Sequence, residues 1–459
     1  MLGAVFEQFV EESPISVMAR GLMEHVFAPE RMDGLFETYA VEQYQQELLF
    51  SSQVDLMSLV VCGIQKSVHA AYRARAANLS VSTTALYNKL QGIELSVSQA
   101  LLRETATELQ SLVEIMNGEQ PALLPEKYRL KIIDGTCLAA TDHRLNAIRQ
   151  FAAKALPGKA LVVLDPLSKL VTDIFPCTDG HAQERCLFNE VLETVQPNDV
   201  WSGDRNFCTA KFLLTLAHKK AFFVIRQHGA LGWKPLSELQ HLGETETGEI
   251  WEQQVEISYE GSRLYVRRVL LKLFQPTRDS EGEITILTNL PVDEASAFTV
   301  AVVYRHRWSL ETLFQTVSEN FNGEIHTLAY PKAALFSFSM ALVAYNILAT
   351  LRTALGSVHG VGKIEAGLSD FYLVDEIQST YRGMMIAIPS PHWASLRTIS
   401  LTQMALLLQH LAAKVNLKCF LKTPRGTKKK REPLIIDRKH RHVSTARLLE
   451  AHQTTRKTQ

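Results

Sequence analysis

The chain has 459 residues, 46% of them apolar and 21% charged, with equal numbers of basic and acidic side chains. These values are ordinary for a globular protein long enough for two to three folded units, and they exclude a low-complexity polymer. The charge is unevenly placed: Lys418 to Gln459 hold 13 Lys/Arg against 3 Asp/Glu, so a tail near +10 follows a body near −10. Such a tail suits a nucleic-acid partner and, taken alone, suits a solvated arm equally well.

Residues 1 to about 125 read as helical. Within them Val68–Ala77, a turn at Asn78-Leu79-Ser80, and Ser82–Leu90 closed by Gly92 form a candidate helix-turn-helix. Two packed helices without a DNA role fit the same pattern. The Met1-Leu2-Gly3-Ala4 start carries no positive n-region, so no signal peptide is read.

Pro121 and Pro125 mark a linker, after which strand-like runs begin. Tyr128–Ile133 ends at Asp134-Gly135-Thr136. Ala160–Asp165 and Leu170–Phe175 follow, joined by a Pro-Leu-Ser turn. Glu184–Val195 reads as a helix, Asp199–Asp204 as a strand, Thr209–Lys219 as a helix and Ala221–Arg226 as a strand. That alternation is an α/β pattern. Residues from about 228 to about 290 change character, with extended runs at Val255–Ser258, Leu264–Leu271 and Ile284–Thr288, and read as a β-rich insertion. A helix over about 293–320 comes next, then helical sequence over 331–417 and the basic tail 418–459. Ala333–Leu351 is free of formal charge and long enough to span a membrane, but Ser337, Ser339, Asn346 and Thr350 make a buried core helix the better reading, with no membrane partner. The cysteines at positions 62, 137, 177, 186, 208 and 419 show no CxxC spacing. They argue against a zinc site and fit a reducing cytosol.

Three acids fall at informative places: Asp134 after the first strand, Asp204 after the fourth, and Glu311 on the later helix. If the two strands are neighbours, both aspartates emerge at carboxyl strand ends, where function gathers in open α/β sheets. Tyr304, Arg307 and Glu311 stand at i, i+3 and i+7, so on a helix they share one face of one rigid element. Arg and Tyr are suited to gripping phosphate. Three clustered carboxylates repel by about 4 kcal/mol per pair at 4 Å with an effective dielectric near 20, so they are stable together only when protonated or holding cations. Oxygen-only ligation favours Mg²⁺ or Mn²⁺ over zinc. Asp142, Asp165, Asp173, Asp179 and Asp199 are assigned to turns and caps.

Asp134-Gly135-Thr136, then Gly203-Asp204-Arg205-Asn206-Phe207, then Tyr304, Arg307-Trp308 and Glu311, taken in order with the β-rich stretch before the Glu, resemble the DDE transposases of bacterial insertion sequences. Among these the chain is similar to the family-four group with the YREK signature (Tyr, two residues, Arg, three residues, Glu, six residues, Lys). The resemblance covers roughly residues 128–330 and extends plausibly from about 60 to the end of the tail. It implies an RNase H-like catalytic core over 126–330, flanked by the helical segments 1–125 and 331–417. It further implies that Asp134, Asp204 and Glu311 hold two Mg²⁺ ions, with Mn²⁺ as substitute, and that Tyr304 and Arg307 contact phosphates. The implied activity is DNA cleavage at the element ends and strand transfer into target DNA, by a homodimer on paired ends in a bacterial cytoplasm.

The signature's Lys falls on Ser318, which cannot supply charge; Lys332 is a candidate replacement. Arg205 is a candidate DNA contact, as are Lys428, Lys429, Lys430 and Arg431 in an extended arm broken by Pro424 and Gly426. The resemblance implies that Trp233 or Trp251 stacks on a flipped base, against the commoner reading of a Trp as core packing; His143-Arg144 either touches the backbone or closes a turn. A DNA-binding relative without activity and a nuclease of the same fold are the rival readings.

Overall fold

The computed structural model describes residues 2–142, 145–277 and 280–423. His143-Arg144 and the tail residues Lys428, Lys429, Lys430 and Arg431 lie outside the described residues. Met1–Leu421 form one compact unit, and Lys422–Gln459 are a second.

The first unit begins with helices α1 (Glu7–Glu12), α2 (Pro14–Val26), α3 (Pro29–Tyr39), α4 (Phe50–Val61), α5 (Val68–Arg75), α6 (Thr83–Gly92) and α7 (Leu95–Ile115). The expected α5–α6 pair is present. The Ser67 hydroxyl caps α5 by accepting from Ala70 N at 3.1 Å, and the Ser82 hydroxyl caps α6 by accepting from Ala85 N at 3.2 Å.

A ten-stranded mixed sheet follows. Its strands are β1 (Arg129–Cys137), β2 (Lys159–Asp165), β3 (Leu170–Cys177), β4 (Asp199–Gly203), β5 (Phe222–Arg226), β6 (Lys234–Pro235), β7 (Gln240–Glu244), β8 (Gly248–Tyr259), β9 (Ser262–Leu273) and β10 (Glu283–Thr288). The order is β3-β2-β1-β4-β5-β10-β9-β8-β6, with β7 on β8. β1, β4 and β5 are mutually parallel, and the remaining pairs are antiparallel. The first five strands, with α8 (Phe188–Thr194) and α9 (Ala210–His218) in the connections, form the expected RNase H-like α/β core.

Three boundaries differ from the sequence reading, each for a non-local reason. β1 does not stop at Ile133: Asp134, Gly135 and Thr136 stay extended because Val162, Leu161 and Ala160 of β2 continue the ladder beside them. The expected helix over Glu184–Val195 is a 3-10 turn at Glu184–Leu187 followed by α8. β10 is no part of a separate insertion, because it pairs with β5 on one side and β9 on the other and carries the main sheet through.

Alternation along the strands divides the sheet into two faces. Ile133, Trp201, Phe223 and Ile225 pack with Phe188, Val191, Phe212 and Leu213 of α8 and α9. On the other face, Ile132 joins the large core shared by the N- and C-terminal helices, while Val200, Val224 and Ile286 pack under α10 (Ala297–Arg305). Asp134, two residues beyond Ile132, therefore belongs to this second face.

α11 (Trp308–Asn320) follows α10, then α12 (Pro331–His359), α13 (Val361–Gly367), α14 (Asp370–Ala387), α15 (Ser390–Ala394) and α16 (Leu401–Ala412). α12 contains the long apolar stretch, and it is buried on all sides among α2, α4, α7, α16 and β3, as a core helix should be. α12 and α7 also cover the open edge of the sheet. Asn346 donates to Val171 O and accepts from Val171 N, both at 2.8 Å, and Gln99 donates to Ile174 O at 2.7 Å. The free backbone groups of edge strand β3 are thereby satisfied by side chains.

Candidate active site

The site is built where β1 and β4 run parallel. Their register pairs Ile132 with Ser202, so two residues further on Asp134 and Asp204 stand abreast on one face. The β4–β5 register pairs Gly203 with Ile225, which puts Arg226 abreast of Asp204. A row Asp134–Asp204–Arg226 thus crosses the three parallel strands where β4 and β5 end and β1 runs on beyond its pairing with β4.

The single helix expected over 293–320 is broken. α10 ends at Arg305 and α11 begins at Trp308. Across the junction Arg307 N bonds Tyr304 O at 3.0 Å and Leu310 N bonds Arg307 O at 3.0 Å. These are tighter, three-residue bonds that end one helix and start the next. Tyr304 is thereby left in the last turn of α10, Arg307 at the N-cap of α11, and Glu311 in its first turn. A carboxylate in that first turn is favoured by the amide dipoles.

Arg307 joins the two halves of the site. Its Nη1 lies 2.7 Å from Asp134 Oδ2 and its Nη2 lies 2.7 Å from Glu311 Oε1. These are charge-assisted bonds to two different acids. Burial would lower the Arg307 pKa, but Asp134, Tyr304 and Glu311 outweigh it and the guanidinium is held above its ordinary value. Asp134 goes the other way. Burial pushes it up, Arg307 and the Gly135 amide pull it down, Asp204 and Glu184 add repulsion, and the carboxyl ends at about 6. Asp204 sits at the edge of solvent and accepts from Asn206 N at 2.8 Å, capping a short 3-10 turn. The structure therefore gathers Asp134, Glu311, Tyr304 and Arg307 directly, with Asp204 beside them.

Other expected residues are placed differently. Tyr304 is buried, with the Arg307 guanidinium 6.0 Å from its ring centre. Arg205 pairs with Glu281 at 3.3 Å. Ser318 is exposed on α11 and donates to Gln315 O at 3.0 Å. Lys332 opens α12 with its ammonium 3.9 Å from Glu42, in the N-terminal helical layer. Trp233 is 37% exposed, with Arg268 4.9 Å from its ring centre. Trp251 instead donates to Glu249 at 3.0 Å and lies under Lys272.

Three residues of the site went unread in the sequence. Arg226 is held by Glu281 at 2.5 Å, and Glu281 also takes Arg205. Glu184 lies against Gly135, where a Cβ would come within 2.3 Å of its carboxylate oxygen; it is the further acid near Asp134. The only local signal for Arg226 is an arginine closing a strand parallel to the one that ends in Asp204. Glu184 gave no signal. A cavity of about 840 Å³ is lined by Ser309, Thr312 and Thr316 on the other side of α11 and by Lys131 and Trp201; it includes none of the residues above.

Residues 125–347, just under half the chain, match a family model described as a transposase DDE domain. This segment is similar to a transposase DDE domain. Seven chains of solved structure also match. One of them is described as the cryo-EM structure of a piggyBac transposase synaptic complex with hairpin DNA, at 11% identity and a TM-score of 0.41, covering 89% of this chain and 87% of that one. No curated protein matches.

A domain of this kind implies divalent cations. The donor set is suitable in kind, being hard carboxylate oxygens. Among the described residues no three Asp, Glu, His or Cys side chains stand close enough to ligate one ion. A cation does stand between two of the acids, and it is the guanidinium of Arg307.

Proposed function

We propose that this protein moves an insertion sequence by cut-and-paste transposition. In this reading it hydrolyses a phosphodiester at each element end and joins the freed 3′-OH to target DNA. The observation that carries the reading is the placement of Asp134 and Asp204 abreast on parallel strands, with Glu311 tied to Asp134 through Arg307. Asp134, Asp204 and Glu311 would hold Mg²⁺, or Mn²⁺ as substitute. When bound, two such ions supply activation of the attacking oxygen and stabilisation of the leaving one.

The protein's own groups position the strand. Arg307 and Arg226 face the same cleft and offer planar, bidentate donors for backbone phosphates. Arg226 takes the charged role for which Ser318 lacks a side chain. Tyr304, whose ring lies beside the Arg307 guanidinium, backs this donor. Trp233, exposed beside Arg268, presents a face on which a displaced base can stack. The tail Lys428, Lys429, Lys430 and Arg431 neutralises phosphate without reading sequence. Two protomers hold two ends, in the cytoplasm of a bacterium. The YREK-like spacing supports placing the chain near the family-four insertion-sequence enzymes.

The test is strand cleavage and joining on a duplex carrying the element's own end, with Mg²⁺ and with EDTA, for the wild type and Glu311→Gln. Metal-dependent joining that Glu311→Gln abolishes is the expected result. Cleavage without joining would indicate a nuclease, and binding without cleavage in both proteins an inactive DNA-binding relative.

A further inference from the structure

Arg307 is more than a phosphate ligand in waiting. With 12% of its side chain exposed, it gives one Nη to Asp134 and the other to Glu311, while its Nε is buried without a partner. Both proposed metal ligands therefore spend an oxygen on the same guanidinium, and the cleft's positive charge is already in place between them. A divalent ion held by both oxygens at about 2.0–2.6 Å needs the space and the lone pairs that Arg307 uses. It would also meet a fixed positive charge at contact distance.

We propose that Arg307 is a resident counter-cation that locks the metal site, and that a DNA backbone phosphate releases the lock by drawing the guanidinium off Asp134 and Glu311. This rests on the transposase reading above and adds a regulation to it. Arg307 can make the exchange because it sits at the α10–α11 break rather than within a continuous helix, and because its unpartnered Nε is a donor ready for an oxyanion. The consequence is reciprocal coupling: DNA tightens metal binding, and metal tightens DNA binding by the same factor. A free protein with its lock closed binds few ions, which keeps hydrolytic chemistry confined to engaged ends.

The experiment is Mn²⁺ binding to the full chain, followed by the loss of the free-ion electron paramagnetic resonance signal. It is run with and without a short duplex ending in a 5′-phosphate, whose own Mn²⁺ uptake is subtracted from a parallel titration. Without DNA, Arg307→Gln should bind Mn²⁺ about tenfold more tightly than wild type. The duplex should tighten wild type by a similar factor and leave the variant nearly unchanged. Arg263→Gln removes an exposed charge on β9 that touches no proposed ligand, and should behave as wild type. Arg307→Lys, which retains the charge but can reach one acid at a time, should fall between and carries the test if Arg307→Gln does not fold. Equal or weaker Mn²⁺ binding in Arg307→Gln, or a wild type indifferent to the duplex, overturns the lock and leaves the transposase reading standing. No specific Mn²⁺ binding in any protein, with or without DNA, overturns both.

Discussion

Asp134 allows a quantitative test of how the site is poised. Its carboxyl is raised from an ordinary 3.8 to about 6, because burial outweighs the pull of Arg307 and the repulsion of Asp204 and Glu184 adds to it. The ionised side chain therefore costs the folded state about 3 kcal/mol at neutral pH. Asp134→Asn removes that charge. The variant keeps one acceptor for either Arg307 or the Gly135 amide and loses the other bond, a cost of about 1 kcal/mol. The net expectation is a variant more stable than wild type by about 2 kcal/mol above pH 7. The sign follows from linkage. Between the ordinary and the raised pKa the folded wild type holds a proton that the unfolded chain has released, so its stability falls as pH rises from about 4 to about 6. Asn cannot titrate, so the variant should go from about 1 kcal/mol less stable at the acid end of that window to about 2 kcal/mol more stable above it, a change of about 3 kcal/mol. Thermal or urea unfolding in EDTA, at intervals from pH 4 to 8, measures the difference. An advantage that does not change with pH, or an Asn variant less stable at pH 7.5, would refute the argument. It would mean that the Arg307 ion pair outweighs burial and that Asp134 is ionised at little cost.

Three further outcomes are expected. Gly203→Ala places a Cβ 2.9 Å from the buried Phe207 ring, next to Asp204; it should cost about 1–3 kcal/mol in urea unfolding and reduce DNA joining beyond what the stability loss explains. Asn346→Ala orphans Val171 N and Val171 O on the sheet edge and should cost about 2–4 kcal/mol; amide exchange at Val171 should speed up in step, and protection equal to wild type would rule out the edge-capping role. Arg267, 4% exposed, donates to Glu252 at 2.6 Å and to the Leu290 and Ala295 carbonyls at 3.0 and 2.7 Å. Arg267→Ala should therefore cost about 3–5 kcal/mol by leaving Glu252 unpaired, and the double variant with Glu252→Gln should recover part of it.

Much of this molecule was legible locally. Short apolar runs bounded by turn residues located β2, β4 and β5 to within a residue or so. The turn at Asn78-Leu79-Ser80 and Gly92 bounded α5 and α6, and the charge-free run with scattered small polar residues identified α12 as a core helix rather than a membrane span. The acids Asp134, Asp204 and Glu311 were picked out because residue type and place on an element are properties of sequence. What the chain could not state alone was which backbone groups would find partners. β1 runs past Asp134 because β2 is alongside, β10 leaves the supposed insertion because β5 has a free edge, and the helix expected over 293–320 breaks at His306-Arg307. Charge pairing was equally hidden. Lys332 is drawn to Glu42, Arg226 arrives beside Asp204 through strand register, and Arg307 closes on two acids at once. Period and composition are written into neighbouring residues, so the sequence by itself determined the elements and the chemistry available. Hydrogen-bond ladders and ion pairs join residues as far apart as Asp134 and Arg307, and only the tertiary structure decided which of those groups meet.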